Sequence, residues 1–427
     1  RFADEAQFRR GELMFTMGNY AGAEKAYASL LDRAQPTAYD ERSLYMRGWT
    51  QYRQSRHEEA LQSFFAVLDL KLAGTDPDVE LAAIAGLTRA DRELVEDTLR
   101  VVSLSLQNLQ GADSIVRFTG GGRGDYDSRV YEALAEMYVR QERIKDAADT
   151  YAAFARRNPT HTRAPLLQAR VIDIYQGNGF AGLALEAKRE YVERYGAGSE
   201  LKQSNAAVWQ RAQPLVRTHL AELAQHHHAA AQKGKGAEDY RQAVRWYREY
   251  LAAFGSEPQA AEKNFLLAEL LFEDRRYAEA AVEYEKSAYA YPPHPRGADA
   301  GYAALLAHAG QLERSGAEQQ PALRAAGVES SLRFAEHFAT DPRVGPVLTS
   351  SAQTLYGLGQ TDRASETAQR VLMLDAAWSG VAMAYVPTDE AITIDPVVPN
   401  TVTLHAHLRG DVLVEQAAMT AASLWTP

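Results

Sequence analysis

Apolar residues along the chain recur at three- and four-residue intervals, in short stretches broken by polar turns, which is the signature of amphipathic helices. The clearest stretch, Leu266–Pro292, reads LLAELLFEDRRYAEAAVEYEKSAYAYP and predicts two short helices with a sharp turn between them. Its signals return at 22–27 (GAEKAY), 59–64 (EALQSF), 146–151 (DAADTY) and 242–247 (QAVRWY). Aligned on Ala23, Ala60, Ala147, Ala243 and Ala280, each copy carries an aromatic four residues on: Tyr27, Phe64, Tyr151, Tyr247 and Tyr284. Positions i and i+4 share a helix face, so the small residue admits a partner helix and the ring fills the space one turn later.

Twelve residues before the alanine the preceding helix also carries a small residue: Gly11, Gly48, Ala135 and Ala268, with Ala352 standing likewise before Ala364. The Ala243 unit is expected to depart from this rule because its turn, QKGKGAEDY, is longer. Three residues before the alanine come Tyr20, His57, Ile144, Tyr240 and Tyr277, placed to clamp the turn. Pro159 and Pro292 follow twelve residues after their alanines and stop the second helix. Small residues facing each other in two consecutive helices specify a tight antiparallel pair.

This set of positions resembles the tetratricopeptide repeat, whose period is about 34 residues. Leu267, Ala268, Leu271, Tyr277, Ala280, Tyr284 and Pro292 carry the resemblance best, followed by Tyr131, Leu134, Ala135, Tyr138, Ala147, Tyr151 and Pro159. One pair cannot bury its own apolar face, whereas stacked pairs cover one another. The expected fold is therefore all-α: a right-handed α-solenoid of stacked antiparallel helix pairs with a less regular C-terminal segment, holding about eight pairs up to Leu374. The expected organisation is helix pairs over 1–72, then an inserted long helix and glycine-rich loop over 73–130. A solenoid over 131–374, a proline-rich irregular linker over 375–400 and a decayed or terminal helical repeat over 401–427 complete it. Within the insertion, 89–110 is a long helix capped by Thr88 or Asp91, and VRFTGGGRGDYDS at 116–128 is a mobile loop containing Arg123-Gly124-Asp125.

The net charge of −10 argues against a nucleic-acid partner. With no cysteine, disulfides and thiolate chemistry are impossible, but the compartment stays open, oxidising space and cytosol alike. No stretch reaches the roughly 18 apolar residues of a membrane span. The sequence opens on Arg1, already in a helical pattern, so it is expected to be a fragment, and the absence of a signal peptide, lipid anchor or N-terminal membrane helix from it carries little meaning.

No catalytic constellation, cofactor motif or metal motif stands out. His219 and His226, in the run His226-His227-His228, share a face at two-turn spacing, and His405 and His407 alternate; solvent-facing polar positions explain both better than a metal. The carboxylates Glu269, Glu273, Asp274, Glu279, Glu283 and Glu285 read as a solvated helix surface. Arg47, Gln51, Arg140 and Glu273 are expected on a groove built by the first helices. Tyr289 and Tyr291 cannot both face one core if a helix runs through them. One of them, exposed beside Arg275 or Arg276, is the candidate partner contact, since tyrosine and arginine dominate binding hot spots.

The expected function is a non-catalytic protein–protein interaction scaffold. Residues 1–374 further resemble large tetratricopeptide proteins of proteobacterial cell envelopes, through phrases such as DEAQFRRGELMFTMGNY and RVYEALAEMYVRQERIKDAADTYAAFARRNP. That resemblance implies a periplasmic or outer-membrane-associated assembly component near a TonB/Tol-type or gliding-type machinery. The alternative with the same fold is an adaptor that regulates, or delivers substrates to, a protease or another enzyme.

Overall fold

The computed structural model describes residues 2–119 and 126–379, with two short strands at 392–393 and 405–406. Arg123-Gly124-Asp125, His407, most of the 375–400 linker and most of the 401–427 segment lie outside the described residues. Two compact units divide the chain, Arg1–Leu220 and Ala221–Pro427. Both are stacks of antiparallel helix pairs.

In the first unit α1 (Phe2–Thr16) pairs with α2 (Tyr20–Leu31), and α3 (Asp40–Arg53) with α4 (His57–Leu72). A 3-10 turn at Leu81–Ala83 precedes α5 (Arg89–Gln107) and the short α6 (Ala112–Thr119). Then come the pairs α7 (Asp127–Arg140) with α8 (Ile144–Arg157) and α9 (Ala164–Gly177) with α10 (Ala181–Tyr195). Next are α11 (Glu200–Ser204) and the start of α12 (Ala206–Gly234). In the second unit the end of α12 packs on α13 (Ala237–Phe254). The pairs α14 (Ala260–Glu273) with α15 (Tyr277–Tyr289), α16 (Gly297–Glu313) with α17 (Gln320–His337), and α18 (Val344–Gly357) with α19 (Thr361–Ser379) follow. Ile392–Thr393 and His405–Ala406 form a two-residue antiparallel ladder.

Each pair is fixed by the small residues and rings read from the sequence. Ala23, Ala60, Ala147, Ala243 and Ala280 are completely buried, and the five partner rings are at most 4% exposed. A Cβ added to Gly11 would stand 2.6 Å from the Tyr27 ring, and one added to Gly48 2.6 Å from Phe64, so only glycine fits there. The Ala243 unit obeys the same rule, contrary to expectation. Ala231 stands twelve residues before Ala243 and is fully buried. Its turn is only Lys235-Gly236, because both flanking helices run on into the polar stretch.

The turns share one device. The residue five before the key alanine is left-handed in six pairs: Gly18, Ser55, Glu142, Gly179, Arg275 and Gly359, with φ between 58° and 77°. The amide after it bonds back to the carbonyl five residues earlier, as in Arg276 N to Leu271 O at 2.9 Å and Arg143 N to Tyr138 O at 2.9 Å. This Schellman closure satisfies carbonyls that the helix end would otherwise leave bare. Rings then clamp the turn: Phe15 on Tyr20, Tyr52 on His57 and Phe272 on Tyr277, with centroids 5.1–5.4 Å apart.

Two expectations for the connecting regions are corrected. Val116–Thr119 belongs to α6, since the apolar Ile115 and Phe118 bury against the array and hold the helix up to the glycine run. Helix α5 packs on both α4 and α7, so it is stacked within the array; its start carries a capping box in which Thr88 and Asp91 each bond the other's backbone. Helix α12 begins at Ala206 and carries Pro214 in its interior.

Two substitutions test this register. Ala280→Leu is expected to overpack its pair and cost about 1–3 kcal/mol. Glu142→Gly removes left-handed strain from an exposed side chain and is expected to add about 0.5–1 kcal/mol. Urea midpoints at constant m-value check both; unchanged midpoints would place these residues elsewhere in the pair.

Candidate protein-binding surfaces

The candidate contact residues do not meet in one patch. Arg275 and Arg276 sit in the turn before α15, and Tyr289 is its last residue, about 18 Å away along the axis. Arg275 is the exposed left-handed turn residue. Arg276 donates twice to Glu279, at 2.7 and 2.8 Å. The helix ends at Tyr289, so Tyr289 and Tyr291 need not share a helical face, and both are half-buried. Tyr289 packs on the next pair, with its ring under the Arg333 guanidinium at 4.1 Å and against His337. Burial pushes its hydroxyl up to about 12. Tyr291 turns back on its own pair and donates to Asn264 Oδ1 at 3.0 Å.

The expected groove residues also separate. Gln51 is buried and bonds Ser63 at 2.8 Å and Glu24 at 3.1 Å, so it serves the interior. Arg47 bonds Ser63 at 3.0 Å. Arg140 and Glu273 are exposed.

In the second unit α14 turns Glu262, Leu266, Glu269 and Glu273 outward at helical spacing. Burial pushes Glu269 above the ordinary glutamate range despite Arg296 at 3.5 Å, and neighbouring Glu273 adds to the rise. Glu273 accepts from Gln232 at 2.9 Å and borders an open cleft of about 640 Å³ lined also by Lys235, Tyr240, Asp274 and Arg275. On the second helices Glu285 joins three elements. It meets His308 of α16 at 3.4 Å and accepts from Ser330 of α17 at 2.6 Å, with Arg333 at 3.7 Å. The hydrogen bond from His308 leads in holding its carboxyl below the ordinary range; Ser330 and the Arg333 charge add to it, against burial.

The histidines are mostly structural, not solvent-facing as expected. His219 is buried with its ring edge-on to Tyr191, and His228 is buried with Nδ1 3.1 Å from the Tyr247 hydroxyl. His227 meets Asp239 at 3.2 Å, and His226 is exposed. Among the described residues no group of three or more histidines or carboxylates is arranged to hold a metal ion. No described helix is long and apolar enough to cross a membrane.

In the first unit the loop between α4 and α5, residues 73–88, is tied by arginines distant in sequence. Arg129 of α7 donates to the carbonyls of Val79 and, at 3.3 Å, Asp76. Arg211 of α12 donates to the Asp78 carboxylate at 3.0 Å. Local sequence reading gives this loop no role, because its partners lie 50 to 133 positions away.

These stacked hairpins, each locked by a small residue and a ring, define a helical repeat protein. The tetratricopeptide repeat model matches residues 3–77 and 229–295, so the chain carries tetratricopeptide repeats in both of its units. No curated protein sequence matches it. Similar solved structures include the tetratricopeptide repeat domain of P58(IPK), 13% identical over 83% of this chain and 99% of that one, with a TM-score of 0.23. The C-terminal part of a repeat protein from Cytophaga hutchinsonii is 14% identical over 69% and 98% respectively, TM-score 0.25. A tetratricopeptide repeat protein from Parabacteroides merdae is 13% identical over 82% and 99%, TM-score 0.20.

The Glu285 tie makes a pH prediction. A carboxyl held low in the folded state stabilises fully above its ordinary value of about 4.3 and loses that contribution as pH falls through the folded-state value. Glu285→Gln is expected to lower stability at pH 7 by about 1 kcal/mol, with the gap to wild type closing below about pH 4. Unfolding midpoints between pH 7 and 3 measure it; a constant gap would mean that the carboxylate charge is not what joins the three helices.

Proposed function

We propose that this chain is an assembly or accessory scaffold of a bacterial cell-envelope complex. Its repeats are protein-interaction modules, and tandem helix pairs offer long surfaces to extended segments or helices of partners. The observation that carries the scaffold reading is the run of stacked pairs in each unit, whose polar outward faces, such as Glu262, Glu269 and Glu273, are not consumed by the core. The envelope setting is supported by the resemblance of residues 1–374 to envelope proteins of this repeat class.

Crosslinking in intact cells, followed by capture from membrane and soluble fractions and mass spectrometry, tests the role. Reproducible crosslinks to envelope components, with the chain in the envelope fraction, are expected. Crosslinks centred on one soluble enzyme, whose rate changes when the chain is added, would replace this reading with that of an adaptor.

A further inference from the structure

The loop over residues 73–88 differs from every helix it touches. No residue from Ala73 to Leu87 is in the core; all are exposed or half-buried. Its base is closed, since Lys71 at the end of α4 pairs with Asp91 at the start of α5 at 2.5 Å. Near its two ends stand Gly74 and Gly86, both left-handed, with φ of 74° and 86°. A loop of this length with its ends together is an Ω-loop, a surface element often used in function.

Its tip is an acidic turn. Val79 N bonds Asp76 O at 3.2 Å, Pro77 sits second in the turn, and Asp78 N bonds the Asp76 carboxylate at 2.8 Å. Proline at that position and aspartate at the first are what such a turn prefers. Arg129 grips the first and last carbonyls of this turn, and Arg211 grips the carboxylate between them. Arg163, at the start of α9, is held by both oxygens of Glu132 at 2.7 Å and adds its charge beside Arg129 and Asp78. Burial pushes Asp78 up, yet the hydrogen bonds from Arg211 and Thr162, with the Arg211 charge and lastly the Arg163 charge, hold its carboxyl below the ordinary aspartate range. Nε of Arg129 and Nε of Arg163 are buried without an acceptor among the described residues.

We propose that this cradle, Arg129, Arg163 and Arg211 near the starts of α7, α9 and α12, is a docking site for an acidic Asp-Pro-Asp-type turn of a partner protein. The chain's own turn at Asp76–Val79 occupies it as an intramolecular stand-in. The loop swings on Gly74 and Gly86 when the partner competes. Polar ties on an unburied segment open at far lower cost than packed helices do. The site's specificity lies in geometry: a guanidinium reads two carbonyls that only a turn brings together, while a second reads the charge.

This inference rests on the scaffold reading, and its test is separate from the crosslinking above. The probe is a fluorescent peptide of the loop's own sequence, TDPDVELAA (residues 75–83), titrated into the full chain. In one variant residues 75–85 are replaced by an equal length of alternating glycine and serine. That variant is expected to bind the peptide at least about tenfold more tightly than wild type. Adding Arg211→Gln to it, or using a peptide with Asp78→Asn, is expected to remove about tenfold or more. Equal binding to wild type and variant, or binding indifferent to Arg211→Gln, would overturn the proposal. Hydrogen exchange on the unaltered chain gives an independent measure if the variant does not fold. Excess peptide is expected to speed exchange of amides 75–86 and leave α7 unchanged; no change in the loop would overturn the proposal. Peptide failure with envelope crosslinks intact removes only the cradle, not the scaffold.

Discussion

The contact between a small residue in one helix and an aromatic ring in the next sets the rest of the structure. At Gly11–Tyr27 and Gly48–Phe64 the approach is so close that even a methyl group has no room. That closeness fixes the register of the two helices, because sliding either by one residue would drive a Cβ into the ring. It also leaves each pair with apolar surface that it cannot cover alone, so neighbouring pairs must stack: α2 on α3, α8 on α9, α15 on α16, α17 on α18. The outward polar faces are what remains once this packing is complete.

The repeated turn follows from the same constraint. Helices held that close must reverse within three residues, and the Schellman closure does so with a left-handed residue at one fixed place. Ser55, Glu142 and Arg275 accept that conformation although glycine suits it better. The packing on either side overrides the local preference, as expected when a turn is fixed by the helices it joins.

Local spacing made the pairs legible, because i, i+4 and the twelve-residue step are short-range signals that every copy repeats. Where the sequence misled, a stronger-looking signal hid a packing one. Glycines and lysines at 233–236 suggested a long turn, yet Ala231 was already in register. The glycine run at 120–122 drew Val116–Thr119 into a supposed loop, although Ile115 and Phe118 are anchored in the core. Tyr289 and Tyr291 looked like alternatives on one helix; the helix stops at the first of them, and each finds a different neighbour. The arginine cradle left no trace in any local window, since Arg129, Arg163 and Arg211 come from three helices and meet only after the array has stacked. The available hint was an acidic, proline-containing segment flanked by Gly74 and Gly86, and that hint names no partner.

The contrast between array and loop carries a physical consequence. Within the pairs, order comes from apolar contacts that are completely buried, so any motion of a helix exposes a ring and opens a cavity. The segment from Ala73 to Leu87 has no such anchor; its ties are hydrogen bonds and charges, exposed at Arg211 and half-buried at Arg129, and they open at lower cost than packed helices do. Lys71 and Asp91 keep its two ends together whether or not the tip is seated, so release leaves the neighbouring helices packed. A partner that supplies the same two carbonyls and the same carboxylate exchanges like for like at the arginines. Its net gain then comes from contacts elsewhere along the exposed helix faces. On that footing the loop sets a threshold: a short acidic segment displaces the chain's own turn only in large excess, and a partner that also engages the array displaces it at lower concentration.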